Sequence, residues 1–539
     1  MTKEKKYTIL VLLACVLFFF VYSFTVLSVY LPQYFSSAHI IFNWPDANAN
    51  YFFAGQYAKY SQFYQFEALN LLTDNLLHTR SINVIDGNLV PMTFLPAILI
   101  YGIFFKIFGG AGVLFLTPLL AAISGYLLYR LSFYIFKDLD LSLITTLLFL
   151  SLAPWVFFAN EVMLPSVMFI FLVLLGWYFI ARSWQKDKYN LRFTFGSLFL
   201  SLAVFVRPTE IIWLALISLF VLYLNRQKIN LSRIIVGAIS FLAILLMFLF
   251  LNKFTYGSFF SFGYLQLASG SLASEISVQK SNSFFALIKL LLFPFGLNIK
   301  LIIINFYKYF VDLSWPHFIF AIGGIFLLLK NKMDYVWKKY LLLTPFVFAL
   351  ILLYYASWDL ADSLVKELNT ISISYVRYFL PLYIWTLPLV AYLLLKLFFV
   401  KNKLNQFALY LIVFALIIFS LRVAFLTTPD GLIENKNTLE NYAWQFKTIS
   451  KLIPENAIII SDRSDKVFFP AYRVIVPQGD LLLWPRVAKI ISQAPIYYYT
   501  DKSEAEIQFD RQVANELNLD LLIRAQIWDN FKLFEVKYK

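Results

Sequence analysis

The chain has 539 residues and a formal net charge of +14; 60% of its residues are hydrophobic, 19% aromatic and only 14% charged, with a mean hydropathy of +0.72. Those values exclude a soluble globular protein or a disordered one and define a polytopic membrane protein. Its single cysteine, Cys15, excludes an intramolecular disulfide, and the positive charge falls in short clusters between apolar runs, the pattern of membrane topology and not of nucleic-acid binding.

In chain order, "MTKEKKY" leads into an apolar run reaching about Tyr30. That core is too long for a signal peptide and is followed by no small-residue cleavage site, so it reads as a retained first span with its basic end inside. Further spans are expected at 111–136, 141–158, 163–182, 194–206, 209–225, 234–252, 315–330, 341–357, 378–398 and 405–426. Basic clusters at Arg182/Lys186/Lys188/Arg192, Arg226/Lys228/Arg233, Lys330/Lys332/Lys338/Lys339 and Lys396/Lys401/Lys403 are assigned to the cytoplasm. These assignments agree only if residues 93–108, a short run carrying Lys106, lie in the interface or re-enter. The run 284–311 must likewise have both ends outside.

The expected fold is therefore a polytopic α-helical membrane protein with about 11 transmembrane helices, N-terminus cytoplasmic and C-terminus extracytoplasmic. Residues 1–426 form the membrane domain, with a first outer loop at 32–110. Residues 427–539 change character: pieces such as "NAIIISD" and "YRVIVPQ" alternate with helical stretches, as in a small extracytoplasmic α/β domain. The outer face also receives the turns around Glu161 and Arg207-Pro208-Thr209-Glu210 and the stretches 253–314 and 358–377. On that face Asp46, just past the first span in "FNWPDANANYFFAGQYAK", is suited to act as general base toward an acceptor hydroxyl, or is simply an exposed loop acid.

Several stretches then occur in a telling order: Asp46; "LHTRSINVIDGNLVPMTFLPAILIYGIFFKIFG" ending at Gly109; "ANEVMLPS" at 159–166; "VRPTE" at 206–210; "TYGSFFSFGY" at 255–264; and "SYVRYFLPLY" at 374–383. In order and spacing they resemble the GT-C glycosyltransferases, in particular the protein mannosyltransferase and aminoarabinose transferase (PMT/ArnT-like) families. Two departures stand out. The acidic pair of those families is here Asp46 alone, followed by Ala47 and Asn48, and the second acid is Glu161 beside Asn160.

The resemblance implies an inverting transfer of a sugar from a polyprenyl-phosphate donor to a glycan, lipid or protein acceptor at the extracytoplasmic face. It implies Asp46 as base and Glu161 as its partner, although an acid at 161 also suits the start of a following helix. Arg377, Arg207 and Arg80 become the donor-phosphate ligands, since a guanidinium grips phosphate oxygens bidentately; as interfacial anchors they would instead snorkel to headgroups. Tyr256, Tyr264, Asp86 and His78 complete the expected substrate-binding set, with aromatic-belt packing the other role for the tyrosines.

No Walker A sequence and no G-x-G-x-x-G is present, and a lipid-borne donor needs neither. No organic cofactor is implied by these motifs. A divalent cation is possible because some relatives use one, although His39, His78 and His317 form no H-x-x-x-H pair. The D-x-D at Asp138-Leu139-Asp140 falls on the cytoplasmic side and reads as loop polarity. The rival reading is a polytopic transporter or a lipid-linked glycan flippase or polymerase; it would place ionisable groups at the bilayer midplane, whereas the acids here gather at outer span ends.

Overall fold

The computed structural model describes residues 2–37, 39–184, 190–261, 263, 296–359, 370–398, 402–477, 480, 482–528 and 530–539. Among them, eight helices are long and apolar enough to cross a membrane: Lys3–Tyr22, Leu95–Val113, Leu116–Phe136, Pro165–Ser183, Leu231–Tyr256, Tyr335–Ala356, Leu380–Phe398 and Lys403–Leu426. Three bent pairs raise the number to 11 if each is one span. Large apolar side chains such as Leu242, Phe250, Phe407, Tyr410 and Phe414 are exposed along these helices, as lipid-facing residues must be where the solvent is hydrocarbon. The chain is a polytopic α-helical membrane protein.

The bends have local causes. Leu139–Ser151 and Ala153–Asn160 were expected as one span; they meet at 51° because Leu152 is extended (φ −54°, ψ 123°) and Pro154 opens the second helix, where its missing N–H leaves no hydrogen bond unmade. Leu191–Val206 turns by 116° into Pro208–Leu224 at Arg207 (φ −141°, ψ 83°), and Ile299–Asp312 turns by 99° into Trp315–Lys330 ahead of Pro316. Leu95–Val113 passes the length test only across Gly109, whose φ of 74° and ψ of 178° are not helical. The straight run up to Phe108 is about 21 Å long at ~1.5 Å per residue, short of a hydrocarbon core of about 30 Å. The expectation placed 93–108 in the interface or as a re-entrant segment, whereas the helix that carries it, counted through Gly109, is long and apolar enough to cross.

Two compact units divide the chain, and they do not follow chain order. One comprises 1–25, 115–247 and 280–434; the other comprises 26–114, 248–279 and 435–539. In the first unit the Pro165–Ser183 helix packs against both Leu116–Phe136 and Leu191–Val206, and Trp315–Lys330 packs against Leu380–Phe398. Asn160, fully buried, ties the first span down: its amide donates to the carbonyls of Val21 (3.2 Å) and Val156 (3.0 Å) and accepts from the Thr25 N–H (3.1 Å). Both acids of the D-x-D are structural here. Asp138 caps the Leu139–Ser151 helix through the N–H groups of Asp140 and Leu141, while Asp140 pairs with Lys3 and accepts from the Tyr7 hydroxyl, each at 2.6 Å.

The second unit holds two sheets. β1 (Gln65–Phe66), β3 (Asn88–Pro91) and β2 (Ile82–Ile85) form an antiparallel sheet in that spatial order. Five further strands, β4 (Ile458–Ile460), β5 (Arg473–Ile475), β6 (Ile496–Thr500), β7 (Leu519–Gln526) and β8 (Lys532–Tyr538), are ordered β5-β4-β6-β8-β7. The β5, β4 and β6 strands run parallel, and β8 and β7 add antiparallel at the far side. Runs such as Ile458–Ile460 are buried on both faces, as parallel strands covered by helices require. The α/β character read from the C-terminal sequence is therefore real, but its core also takes in Leu76 and Leu77 from the 26–114 segment, packed among Ile458, Ile475, Trp484 and Tyr498. A division at residue 427 follows the sequence; the compactness instead joins 26–114 to the C-terminal strands.

Candidate functional site

In the first unit two guanidinium groups share one aromatic ring. Arg207 and Arg377 each lie 5.2 Å from the Tyr378 ring centroid, and the Arg377 Nη2 also donates to the Tyr378 hydroxyl at 3.3 Å. Arg207 stands at the sharp bend between two helices, buried (9% side-chain exposure), and pairs with Glu210 at 2.9 Å, itself 1% exposed. Its Nη1 donates to the Ser166 hydroxyl (3.4 Å), and Phe169 supports it from another side at 5.8 Å. Glu210 also accepts from the Trp213 indole. Tyr355 stacks on Tyr378 with centroids 4.3 Å apart and planes at 7°, and its hydroxyl donates to Thr209 at 3.2 Å. Arg377 comes from the short Ser374–Tyr378 helix, and the segment leading into that helix is held by Asp430, whose carboxylate accepts from the N–H groups of Ile371 (3.3 Å) and Ser372 (3.0 Å) and from the Ser372 hydroxyl. Two phosphate-binding candidates separated by 170 positions in the sequence are thus brought onto one ring.

Glu161 belongs to the same unit. It is 2% exposed and ends the Ala153–Asn160 helix, in the turn that leads to Ser166. The expected capping role at a following helix does not describe it, because the Pro165–Ser183 helix is preceded by Leu164.

In the second unit Asp46 sits in the first turn of the Pro45–Tyr60 helix, half-buried, where an acid suits the positive end of the helix dipole. Its Oδ1 accepts from the Ser81 hydroxyl at 2.5 Å. Arg80, the neighbour of Ser81, is committed elsewhere: its Nε and Nη2 donate to Asp465 at 3.0 and 2.6 Å, its own N–H donates to the same carboxylate, and Asp465 is fully buried. This geometry gives Arg80 a buried carboxylate partner.

Asp86 is likewise a turn residue. With φ of 48° it precedes Gly87 (φ 78°) in the two-residue hairpin between β2 and β3, the Asp-Gly pairing that such tight turns favour. Tyr256, 6% exposed, donates its hydroxyl to the Pro91 carbonyl at 2.8 Å; Tyr264 lies outside the described residues.

The histidines stand in separate surroundings. His78 donates from Nδ1 to the Thr79 carbonyl (3.0 Å), and burial lowers its pKa from the usual imidazole value. His39 bonds through Nε2 to the Val467 carbonyl (2.9 Å) against the Phe446 ring at 4.3 Å, and burial lowers its pKa too. His317 is buried at the start of the Trp315–Lys330 helix. Among the described residues no group of three or more His, Cys, Asp or Glu side chains is placed to hold a metal ion.

No protein-family model matches this chain, and no curated protein does. Among solved structures, ArnT from Cupriavidus metallidurans bound to undecaprenyl phosphate superposes with a TM-score of 0.52 at 10% identity, covering 98% of each chain. The same protein in its apo state gives 0.51 at 10% identity, over 99% of this chain and 98% of that one. This chain shares the fold of that protein. At that identity the likeness establishes the fold alone and leaves the chemistry to this chain's own side chains.

The sequence did not point to the residues that organise the arginine pair. Tyr378, Tyr355 and Ser166 are ordinary membrane-protein residues by type, and no local spacing marks them. The Arg207–Glu210 pair was readable, because an i, i+3 acid after "RP" at a helix start is a recognised ion-pair spacing. The Asp465 that takes up Arg80 lies 385 positions away and no local signal points to it.

Proposed function

We propose that this chain moves a sugar from a polyprenyl-phosphate donor to a glycan, lipid or protein acceptor at the extracytoplasmic face, inverting the anomeric carbon. One observation carries the reading: Arg207 and Arg377 are held on the same Tyr378 ring within a GT-C fold. Two guanidiniums fixed by an aromatic face offer phosphate oxygens several donors in a set geometry, and departure of a phosphate from the anomeric carbon calls for positive charge on the leaving group.

In this reading Asp46 accepts the proton of the acceptor hydroxyl as its oxygen bonds to the anomeric carbon. The bond to the phosphate oxygen breaks at the same time, and polyprenyl phosphate leaves with Arg377 and Arg207 stabilising its charge. Glu161 orients the acceptor. A cytoplasmic N-terminus and an extracytoplasmic C-terminus complete the scheme.

The deciding experiment reconstitutes the purified protein in liposomes with a panel of radiolabelled polyprenyl-phosphate sugars and follows the label into extracted glycan, lipid and protein. Transfer from at least one donor, abolished in a folded Asp46→Asn variant, is the expected result. If no label moves and the protein instead dissipates a substrate gradient, the transporter reading replaces this one.

A further inference from the structure

The second compact unit contains a cleft of about 260 Å³ that the proposed transfer does not use. Phe52, Glu67, His78, Phe469, Tyr472 and Arg473 are among the residues lining it. Its polar groups are arranged with one side satisfied and the other open. Glu67 is anchored by accepting from the Leu69 N–H (3.3 Å) and from the Arg473 Nε (2.8 Å). That pair occupies a single nitrogen of Arg473, whose side chain is 42% exposed; among the described residues its two terminal nitrogens have no partner.

His78 presents a similar asymmetry. Because a carbonyl accepts from its Nδ1, that nitrogen carries the proton and Nε2 carries the lone pair, and the lowered pKa keeps the ring neutral near pH 7. Phe52 and Phe469, 4.8 Å apart and edge-on at 68°, supply an apolar wall.

We infer that this cleft binds one carboxylate-bearing sugar unit, a uronic acid residue, with its carboxylate on the open edge of Arg473, a hydroxyl donating to Nε2 of His78 and a ring face against Phe52. The volume suits one ring, being below the range of about 300–1,000 Å³ typical of pockets for larger ligands. A planar carboxylate matches the guanidinium fork, while Glu67 and Glu455, which line the same cleft, oppose any anion and a phosphate dianion more strongly than a monoanion. The neutral imidazole acceptor selects a ligand rich in hydroxyl donors over a simple carboxylic acid.

The test uses the full-length protein in nanodiscs and saturation-transfer NMR with four probes: methyl glucuronide, its uncharged methyl ester, methyl glucoside and inorganic phosphate. Saturable binding of the glucuronide is expected, at least ten-fold tighter than the ester or the glucoside, with phosphate failing to compete. Arg473→Gln should weaken the glucuronide at least ten-fold and leave the ester unchanged. Glu67→Gln, which removes the competing carboxylate, should tighten it several-fold, a gain that a mere folding defect does not produce. Equal binding of glucuronide and ester, competition by phosphate at equal concentration, weakened binding in Glu67→Gln, or no binding of any probe would each overturn the inference. None of these outcomes depends on whether sugar transfer is observed.

Discussion

At the scale of single residues, the arginine pair makes the sharpest demands. Arg377→Ala removes a guanidinium from the Tyr378 ring, and transfer from the lipid-phosphate donor should fall by about 100-fold or more, the usual cost of deleting one charge-stabilising donor. Arg377→Lys keeps the charge but not the planar fork, so steady-state kinetics in proteoliposomes should show only partial recovery. Glu210→Gln probes the other arginine: it leaves Arg207 buried without its counter-charge, which costs about 3–5 kcal/mol. A thermal melt in detergent should show the single variant clearly destabilised and an Arg207→Met/Glu210→Gln double variant recovering much of the loss.

The sequence made part of this readable. Arg207 and Arg377 could be picked out because ionisable residues are scarce in an apolar chain and these two stood in GT-C-like surroundings. The pairing of Arg80 depended on a fact no local pattern contains, a buried Asp465 arriving from 385 positions away.

At the scale of elements, the bends place chemistry where straight spans would not. Arg207 can enter a buried ion pair because the chain turns by 116° at its own position, and Pro208 makes that turn compatible with a new helix start. Hydropathy located both arms of this bend but carried no information on its angle. The β2–β3 hairpin shows the opposite case, since "IDGN" between two apolar runs is itself a hairpin signal. Gly87→Ala tests it: at φ 78° a new Cβ would lie 3.0 Å from Phe66 and 3.1 Å from Leu71, so a loss of about 1 kcal/mol or more is expected in chemical denaturation.

At the scale of the whole molecule, fold class followed from composition and run length, whereas the grouping of residues into units did not. Hydropathy is a local quantity, and the partnership of Leu76 and Leu77 with strands nearly 400 positions later is carried by packing alone. The second unit also has a readable pH response. His39 and His78 both have folded pKa values below the ordinary 6.5, so below that pH the unfolded chain binds protons that the folded unit resists. Stability should therefore be intact above pH 6.5 and decline as the pH falls through it. Unfolding midpoints of the full-length protein should drop between pH 7 and pH 5, with a shallower drop in His39→Gln.

The composite make-up of that second unit bears on biogenesis. Its sheet closes only when β8, a few residues from the chain end, pairs with β6, while Leu76 and Leu77 leave the ribosome hundreds of residues earlier. The early segment must wait, with two leucines unshielded, through the synthesis of every later span. Arrested nascent chains ending before residue 496 should accordingly show cysteines placed at positions 76 and 77 open to alkylation, and released full-length protein should show them protected.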